Sequence, residues 1–369
     1  MTKLHDLYYG HGQSPWLDNL RRGWLTGGEL ARWVERGVRG ITSNPTILQK
    51  AIAGSAEYDD QFRDLARGDG SVTDNYWTMA IADIEAALRI LRPVHDESGG
   101  VDGFVSLEVA PDLARDVDGT VASARDLHDR IAEPNLYVKV PATAEGVAAI
   151  RTLIGEGRNI NVTLIFGLDR YEEVMEAYLS GLEAYDGDLS GVHSVASFFV
   201  SRVDTEVDQR LEAIGTPEAL ALRGKAAVAQ AQAAYTRFLA RFSGPRWEAL
   251  AARGAHVQRP LWASTSTKND AYPDTLYVDT LIGPDTVNTM PEATLEAIED
   301  HGTLARTVDA DPAAAEATLA ALGAAGLDMD DVARVLEEQG VATFAKSFDE
   351  LMSSLDAKAE DLRSGSPGS

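Results

Sequence analysis

The chain contains no cysteine, which excludes a disulfide framework, a thiolate metal site and a cysteine nucleophile. Positive charge is scarce: 33 Lys and Arg face 58 Asp and Glu in 369 residues, a formal net charge of −25. A field of that sign repels nucleic-acid backbones and anionic membranes, so neither is expected as a partner. An anionic metabolite could bind only where a few cations override the background, which makes each cation informative. No apolar run is long enough to cross a bilayer. The start, Met1-Thr-Lys-Leu-His-Asp6, has no apolar core behind its charge, so no signal peptide is read there and the cytoplasm is the expected location. The seven histidines are scattered without HExxH spacing, and the acidic residues form no EF-hand pattern, so no metal is expected. A GxGxxG turn and a Walker loop are also missing. What remains is a globular composition, with 44% hydrophobic residues and 32 glycines spread along the chain.

The most informative stretch is Asn135-Leu-Tyr-Val-Lys-Val-Pro141. Read as a strand, it places Asn135, Tyr137, Lys139 and Pro141 on one face and Leu136, Val138 and Val140 on the other. If helices cover the apolar face, Lys139 points into the interior, where lost hydration favours a neutral, nucleophilic amine. The ordinary alternative is a lysine that snorkels outward or pairs with a carboxylate. Strand-helix alternation recurs on both sides. Strands are expected at 12–18, 37–44, 104–109, 135–141, 160–166, 193–200, 258–264 and 286–290. Helices are expected over 46–92 with a break at 68–70 and an end at the proline and glycines of 93–103. Others are expected over 112–131, 143–154 with Thr143 as cap, 168–182 and 205–242, then after Pro291 and over 313–322, 328–339 and 341–357. This pattern fits an α/β fold, a (β/α)8 TIM barrel with extra C-terminal helices, or alternatively a doubly wound sheet. Polar residues late in the strands, namely Asp18, Asn44, Glu108, Lys139, Thr163 and Ser197, favour the barrel, whose strand ends converge on one pocket. No internal repeat or interdomain linker is visible, so residues 1–360 are expected to form a single domain and 361–369 a flexible tail.

Seven pieces carry a joint pattern: Leu17-Asp18, Gly40-Ile-Thr-Ser-Asn-Pro45, Val105-Ser-Leu-Glu108, Leu136-Tyr-Val-Lys-Val-Pro-Ala-Thr143, Ile160-Asn-Val-Thr-Leu-Ile-Phe166, Val195-Ala-Ser-Phe-Phe-Val-Ser-Arg-Val-Asp204 and Trp262-Ala-Ser-Thr-Ser-Thr-Lys-Asn269. In this order they resemble the transaldolase family, in particular its long stand-alone bacterial members. The resemblance implies a barrel with the Schiff-base lysine on its fourth strand, where the strand order above also puts Lys139. It implies reversible transfer of a dihydroxyacetone unit between phosphorylated ketose and aldose sugars in the non-oxidative pentose phosphate pathway. Lys139 would form the imine, and Asp18 would move the proton of the hydroxyl beyond the breaking carbon–carbon bond. Glu108 would serve imine formation and hydrolysis through a water that Thr163 helps hold. Asn44 and Asn161 would face sugar hydroxyls or hold Lys139 in register, with Thr42 beside Asn44. Ser197 would meet the donor's terminal hydroxyl, Phe199 would line the sugar pocket, and Arg202 and Lys268 would take the phosphate.

Each of these residues also has a plainer reading. Asn44 before Pro45 is a turn signal, Phe199 a packed core ring, Ser197 a serine satisfying its own backbone, and a lone carboxylate near a strand end a capping group. Arg259, at the start of its strand, reads as structural, and neither Arg170 nor Lys346 has a motif to place it. The chain departs from the family pattern after the seventh strand, where Ser264-Thr-Ser-Thr267 precedes Lys268-Asn269 and the family often has an arginine in a shorter loop. Related fructose 6-phosphate aldolases tend to carry glutamine at the Phe199 position and tyrosine at that of Glu108; this chain keeps the transferase pair. An imine supplies its own electron sink, so no cofactor is expected. Monomer and homodimer both stay open. The rival classes are another lysine aldolase, a barrel isomerase without a covalent step, and a binding protein that would leave the polar strand ends unexplained.

Overall fold

The computed structural model describes residues 1–364 of the chain. Eight parallel strands, with helices packed around them, close into a barrel: β1 (Gln13–Leu17), β2 (Ile41–Thr42), β3 (Val105–Glu108), β4 (Leu136–Pro141), β5 (Ile160–Ile165), β6 (Ser194–Phe199), β7 (Arg259–Ala263) and β8 (Thr286–Met290). The first and last strands pair from Gln13–Thr286 through Leu17–Met290, which decides between the barrel and the open sheet. Every residue of these strands is buried, as a parallel sheet covered by helices requires. A polar strand residue therefore has to find a partner inside. Register sets which ones meet: Glu108 lies opposite Lys139, Lys139 opposite Asn161, and Pro141 opposite Thr163.

The N-terminal end of the barrel is closed by a buried charge cluster. The Asp102 carboxylate, fully buried, pairs with Arg39 at 3.0 Å and Arg259 at 3.4 Å, and accepts hydrogen bonds from Ser14 Oγ at 2.5 Å and Trp16 Nε1 at 2.8 Å. Arg259 is thus the structural residue its position suggests. Beside it the histidines correct the expectation of scatter. His193 stacks on His256 at 4.4 Å and packs against Phe104, whose other edge meets His95. Their separation in sequence hid these contacts, which arise because the pairing of β6 with β7 sets His193 beside His256.

Several helix boundaries also differ from expectation; the span before the break at 68–70 is itself divided, into Pro45–Ala53 and Asp59–Ala66, and a first helix, Lys3–Tyr9, was not expected. The helix Val72–Glu97 runs through Pro93 and ends at Ser98, before Gly99 and Gly100, so within 93–103 the glycines and not the proline mark its end. Its apolar face of Ile84, Leu88, Leu91 and Val94 stays buried past the proline, and that burial offsets the missing N–H. The two helices expected at 328–339 and 341–357 are one, Met329–Ser364. Gly340 does not break it but allows close approach: a Cβ there would stand 3.0 Å from Leu164 Cδ2 at the end of β5. This long helix also takes in 361–364 of the expected tail, while 365–369 lie outside the described residues. The span 205–242 is divided into Ser201–Ile214, Pro217–Leu220 and Ala226–Arg241, and the short helices Gly244–Ala251 and Leu276–Asp279 were not anticipated. Thr143 caps its helix as expected, accepting from Gly146 N at 2.9 Å. No helix among the described residues is long and apolar enough to cross a membrane.

Candidate active site

At the C-terminal ends of the strands lies a cavity of about 340 Å³ whose wall includes Asp18, Thr42, Asn44, Lys139, Thr163, Ser197, Phe199, Arg202 and Lys268. Nine of the eleven site residues expected from sequence therefore stand on this wall; Glu108 meets it through Lys139 and Asn161 through Ser197. Lys139 points inward from β4, 4% exposed. Its Nζ lies 3.3 Å from Glu108 Oε2 and donates to the Ser43 carbonyl at 3.0 Å. Glu108 stands behind it on the adjacent strand. Burial outweighs the attraction of Lys139 and raises the Glu108 pKa above the ordinary carboxylate value. Its Oε2 is at ion-pair distance but makes no well-aligned hydrogen bond, and Thr163 Oγ1 is likewise buried without a protein partner. Glu108 is the register partner of Lys139 on one side, and on the other side Thr163 lies opposite Pro141, two residues further along the same strand face.

Asp18 approaches from the other side. It follows β1 directly and its backbone N–H donates to Met290 O at 2.8 Å. The carboxylate accepts from Thr42 Oγ1 at 2.7 Å, and Thr42 also meets Thr289 Oγ1 at 2.6 Å. Desolvation raises the Asp18 pKa, against the Thr42 hydrogen bond and the charges of Lys139, Arg202 and Lys268. The two carboxyl groups thus have separate anchors, one on the lysine and one on a threonine.

Three expected contacts are already engaged within the protein. Asn161 does not reach the cavity wall: its Nδ2 donates to Ser106 Oγ at 3.0 Å and its Oδ1 accepts from Ser197 Oγ at 2.7 Å. It ties β3, β5 and β6 together beneath the lysine. The Ser197 hydroxyl hydrogen consequently points to Asn161, leaving its oxygen lone pairs toward the cavity. Asn44 caps the helix Pro45–Ala53 through Ile47 N at 2.9 Å. The cations are freer. Arg202 lies 5.1 Å over the Phe199 ring and 6.0 Å from Phe344, with no carboxylate within ion-pair distance among the described residues. Lys268 Nζ donates to Ser266 Oγ at 2.6 Å. Arg170 pairs with Glu173 at 2.5 Å and Lys346 with Glu350 at 3.8 Å, both away from this cavity.

Sequence reading missed part of the wall. Thr343 and Phe344 come from the long C-terminal helix, which crosses the barrel mouth and is fastened to Thr46 by Ser347 Oγ at 2.8 Å. Only their helical spacing was visible, and spacing does not say which neighbour a face meets. Lys50 and Thr289 also line the cavity. Two of the four non-glycine residues with left-handed backbone among the described residues lie here: Leu164, directly after Thr163, and Ser264, directly after β7, have φ of 59° and 57°. Such non-glycine left-handed residues cost on the order of 1 kcal/mol and collect at functional sites. The Leu164 distortion coincides with a register shift between β5 and β6. The arrangement can hold an amine against a proton-transferring carboxyl, move a second proton at Asp18, and receive an anion at Arg202 and Lys268.

Comparison with known proteins gives one answer. The family model described as Transaldolase/Fructose-6-phosphate aldolase matches residues 15–355. A protein named Transaldolase from Frankia alni is 52% identical over 363 residues, covering 97% of each chain. One of the same name from Parafrankia is 53% identical over 349 residues, 93% of this chain and 95% of the relative. A third, from Thermobifida fusca, is 52% identical over 356 residues, 95% and 96% of the two chains.

Proposed function

This chain belongs to the transaldolase/fructose-6-phosphate aldolase family, and we propose that it is a transaldolase whose reaction runs through a Schiff base on Lys139. The single observation that carries the residue roles is the buried Lys139 amine set 3.3 Å from Glu108, with Asp18 held apart on Thr42. Imine chemistry and carbon–carbon cleavage need protons moved at different atoms, and two carboxyl groups with separate anchors suit that division.

The Lys139 amine attacks the ketose carbonyl, and the carbinolamine loses water to give an iminium. Glu108 passes the protons of this step through a water between it and Thr163, whose buried, partnerless oxygen atoms suit a bridging water. Asp18 then takes the proton of the hydroxyl on the far side of the breaking bond. The bond electrons flow into the iminium, an aldose leaves, and three carbons stay on Lys139 as an enamine. The acceptor aldehyde is attacked by the enamine, Asp18 returns the proton, and hydrolysis frees the new ketose. Donors are fructose 6-phosphate or sedoheptulose 7-phosphate, and acceptors erythrose 4-phosphate or glyceraldehyde 3-phosphate. Their phosphate is received by Arg202 and Lys268. Residues 1–360 act as one domain, since the C-terminal helix supplies part of the cavity wall.

Fructose 6-phosphate and borohydride together test this. A reduced three-carbon adduct on Lys139, found by peptide mass spectrometry with no acceptor present, is expected. Adding erythrose 4-phosphate before the reductant should discharge it into sedoheptulose 7-phosphate. Absence of an adduct, with Lys139→Ala retaining turnover, would sink the mechanism. Steady release of free dihydroxyacetone at the transfer rate would instead make the chain a simple aldolase, which the Phe199 and Glu108 pair disfavours.

A further inference from the structure

Lys268 sits on the loop that joins β7 to the helix Leu276–Asp279, the stretch in which this chain departs from its family's pattern. The start of the loop is anchored. Thr265 Oγ1 donates to Asn288 Oδ1 at 2.8 Å, and Ser264 O accepts from Ser201 N at 3.0 Å. Residues 266–271, including Lys268, are half-buried or exposed, and the lysine's own hydrogen bond, to Ser266, lies within the same loop. Something at the far end has to set where this segment stands.

That end is held by two phenols. Tyr272 Oη donates to Asp208 Oδ2 at 2.5 Å and Tyr277 Oη to Asp204 Oδ2 at 2.8 Å. Both carboxylates are buried, and their remaining oxygens are engaged: Asp208 Oδ1 accepts from Gly224 N at 2.9 Å and Asp204 Oδ1 from Ala227 N at 2.8 Å. Gly224 has φ +68°, and a Cβ there would stand 2.7 Å from Tyr272 Cζ, so the ring is seated against bare backbone. Asp204 and Asp208 lie one turn apart on the helix Ser201–Ile214, the helix whose first turn carries Arg202 into the cavity. One helix thus presents one cation directly and reaches the loop bearing the other through two tyrosines.

We infer that Tyr272 and Asp208 are positioning residues for phosphate recognition, fixing the β7 loop so that Lys268 stands beside Arg202. The inference rests on the reading that these two cations receive the substrate phosphate. A second cavity, of about 200 Å³, lies on the far side of Lys268 and is lined by Asp204, Asp208, Glu212 and Tyr272. With the phenol gone, the freed Asp208 carboxylate would compete for the ammonium and draw it from the substrate. The clamp therefore affects binding of a phosphorylated sugar more than turnover.

Tyr272→Phe is the test, with fructose 6-phosphate and unphosphorylated fructose as the two donors. The expected result is a KM for fructose 6-phosphate raised about five- to tenfold, with kcat held within about twofold and kcat/KM for fructose unmoved. Asp208→Ala should reproduce the shift from the other side of the bond. Asp208→Asn, whose side chain can still bond the phenol, should restore most of the affinity. A fall in kcat for both donors with no change in KM would overturn the clamp, because a merely structural residue behaves that way. Lys268→Met separates this inference from its premise. If it leaves the preference for the phosphorylated donor intact, the phosphate reading of Lys268 fails. If it abolishes that preference while both Tyr272→Phe and Asp208→Ala keep it, the clamp fails alone.

Discussion

Glu108→Gln keeps the shape of the side chain and removes its ability to pass a proton. Unit charges 3.3 Å apart attract by about 5 kcal/mol at an effective dielectric near 20. Burial outweighs that attraction and leaves the Glu108 pKa above its ordinary value, so the pair adds little stability. In the variant, Lys139 keeps its hydrogen bond to the Ser43 carbonyl. The loss of stability should therefore stay below the roughly 3–5 kcal/mol of a broken buried pair. Chemistry should suffer more. A positioned general acid or base contributes about 10²–10⁴-fold, which is about 3–5 kcal/mol of barrier. The assay mixes enzyme and fructose 6-phosphate, quenches with borohydride at timed intervals, and follows the adduct on Lys139 by mass. Imine formation should slow by about 100-fold or more. Preformed three-carbon adduct should still add erythrose 4-phosphate at close to the wild-type rate, because that step belongs to Asp18. Asp18→Asn should show the converse, accumulating an uncleaved six-carbon adduct. If Glu108→Gln traps at the wild-type rate, or if both variants stall the same step, the division of labour is wrong.

Other regions give independent checks. Phe344→Ala opens the wall between Arg202 and solvent; truncating a buried Phe costs about 3–5 kcal/mol, and free dihydroxyacetone should rise about tenfold relative to transfer as water reaches the enamine, measured by coupled assay. An unchanged partition would deny the C-terminal helix its role in excluding water. His193, buried against His256 and Phe104, has its pKa lowered to about 3 by desolvation. Being neutral in the fold and protonated when unfolded, it stabilises fully only above its ordinary value of 6.5, and loses up to about 5 kcal/mol as pH falls toward 3. His193→Phe should then move the acid-unfolding midpoint, followed by circular dichroism, to lower pH; a midpoint that stays put refutes the linkage. Asp102→Ala strands Arg39 and Arg259 and should cost about 3–5 kcal/mol in denaturant unfolding. Because the cluster lies at the opposite end of the barrel, kcat/KM at 25 °C should not change; a near-wild-type unfolding curve would show that it contributes nothing.

Much of the site was legible because a strand alternates its faces and a barrel gathers its strand ends. Lys139, Glu108, Asp18 and Thr163 could be placed from those two facts and their order along the chain. Partners were less legible than faces. Asn161 and Ser197 were assigned to the right strands, yet they bond each other, since facing residues on neighbouring strands satisfy one another before any ligand arrives. Punctuation misled where burial was strong, at Pro93 and Gly340, and a local signal of that kind yields to tertiary packing. Phe344 lay beyond any local rule, since its place depends on a helix docking across strands far earlier in the chain. The charge balance offers the deepest signal. In a chain with 58 acidic and 33 basic residues, an arginine or lysine finds a carboxylate easily, as Arg36, Arg125 and Arg246 do. Among the described residues, the cavity wall holds Lys50, Arg202 and Lys268 with no carboxylate within ion-pair distance. Three such cations gathered where carboxylates are plentiful support the phosphate site proposed above, and it is the shortage of positive charge in the whole chain that gives their convergence its meaning.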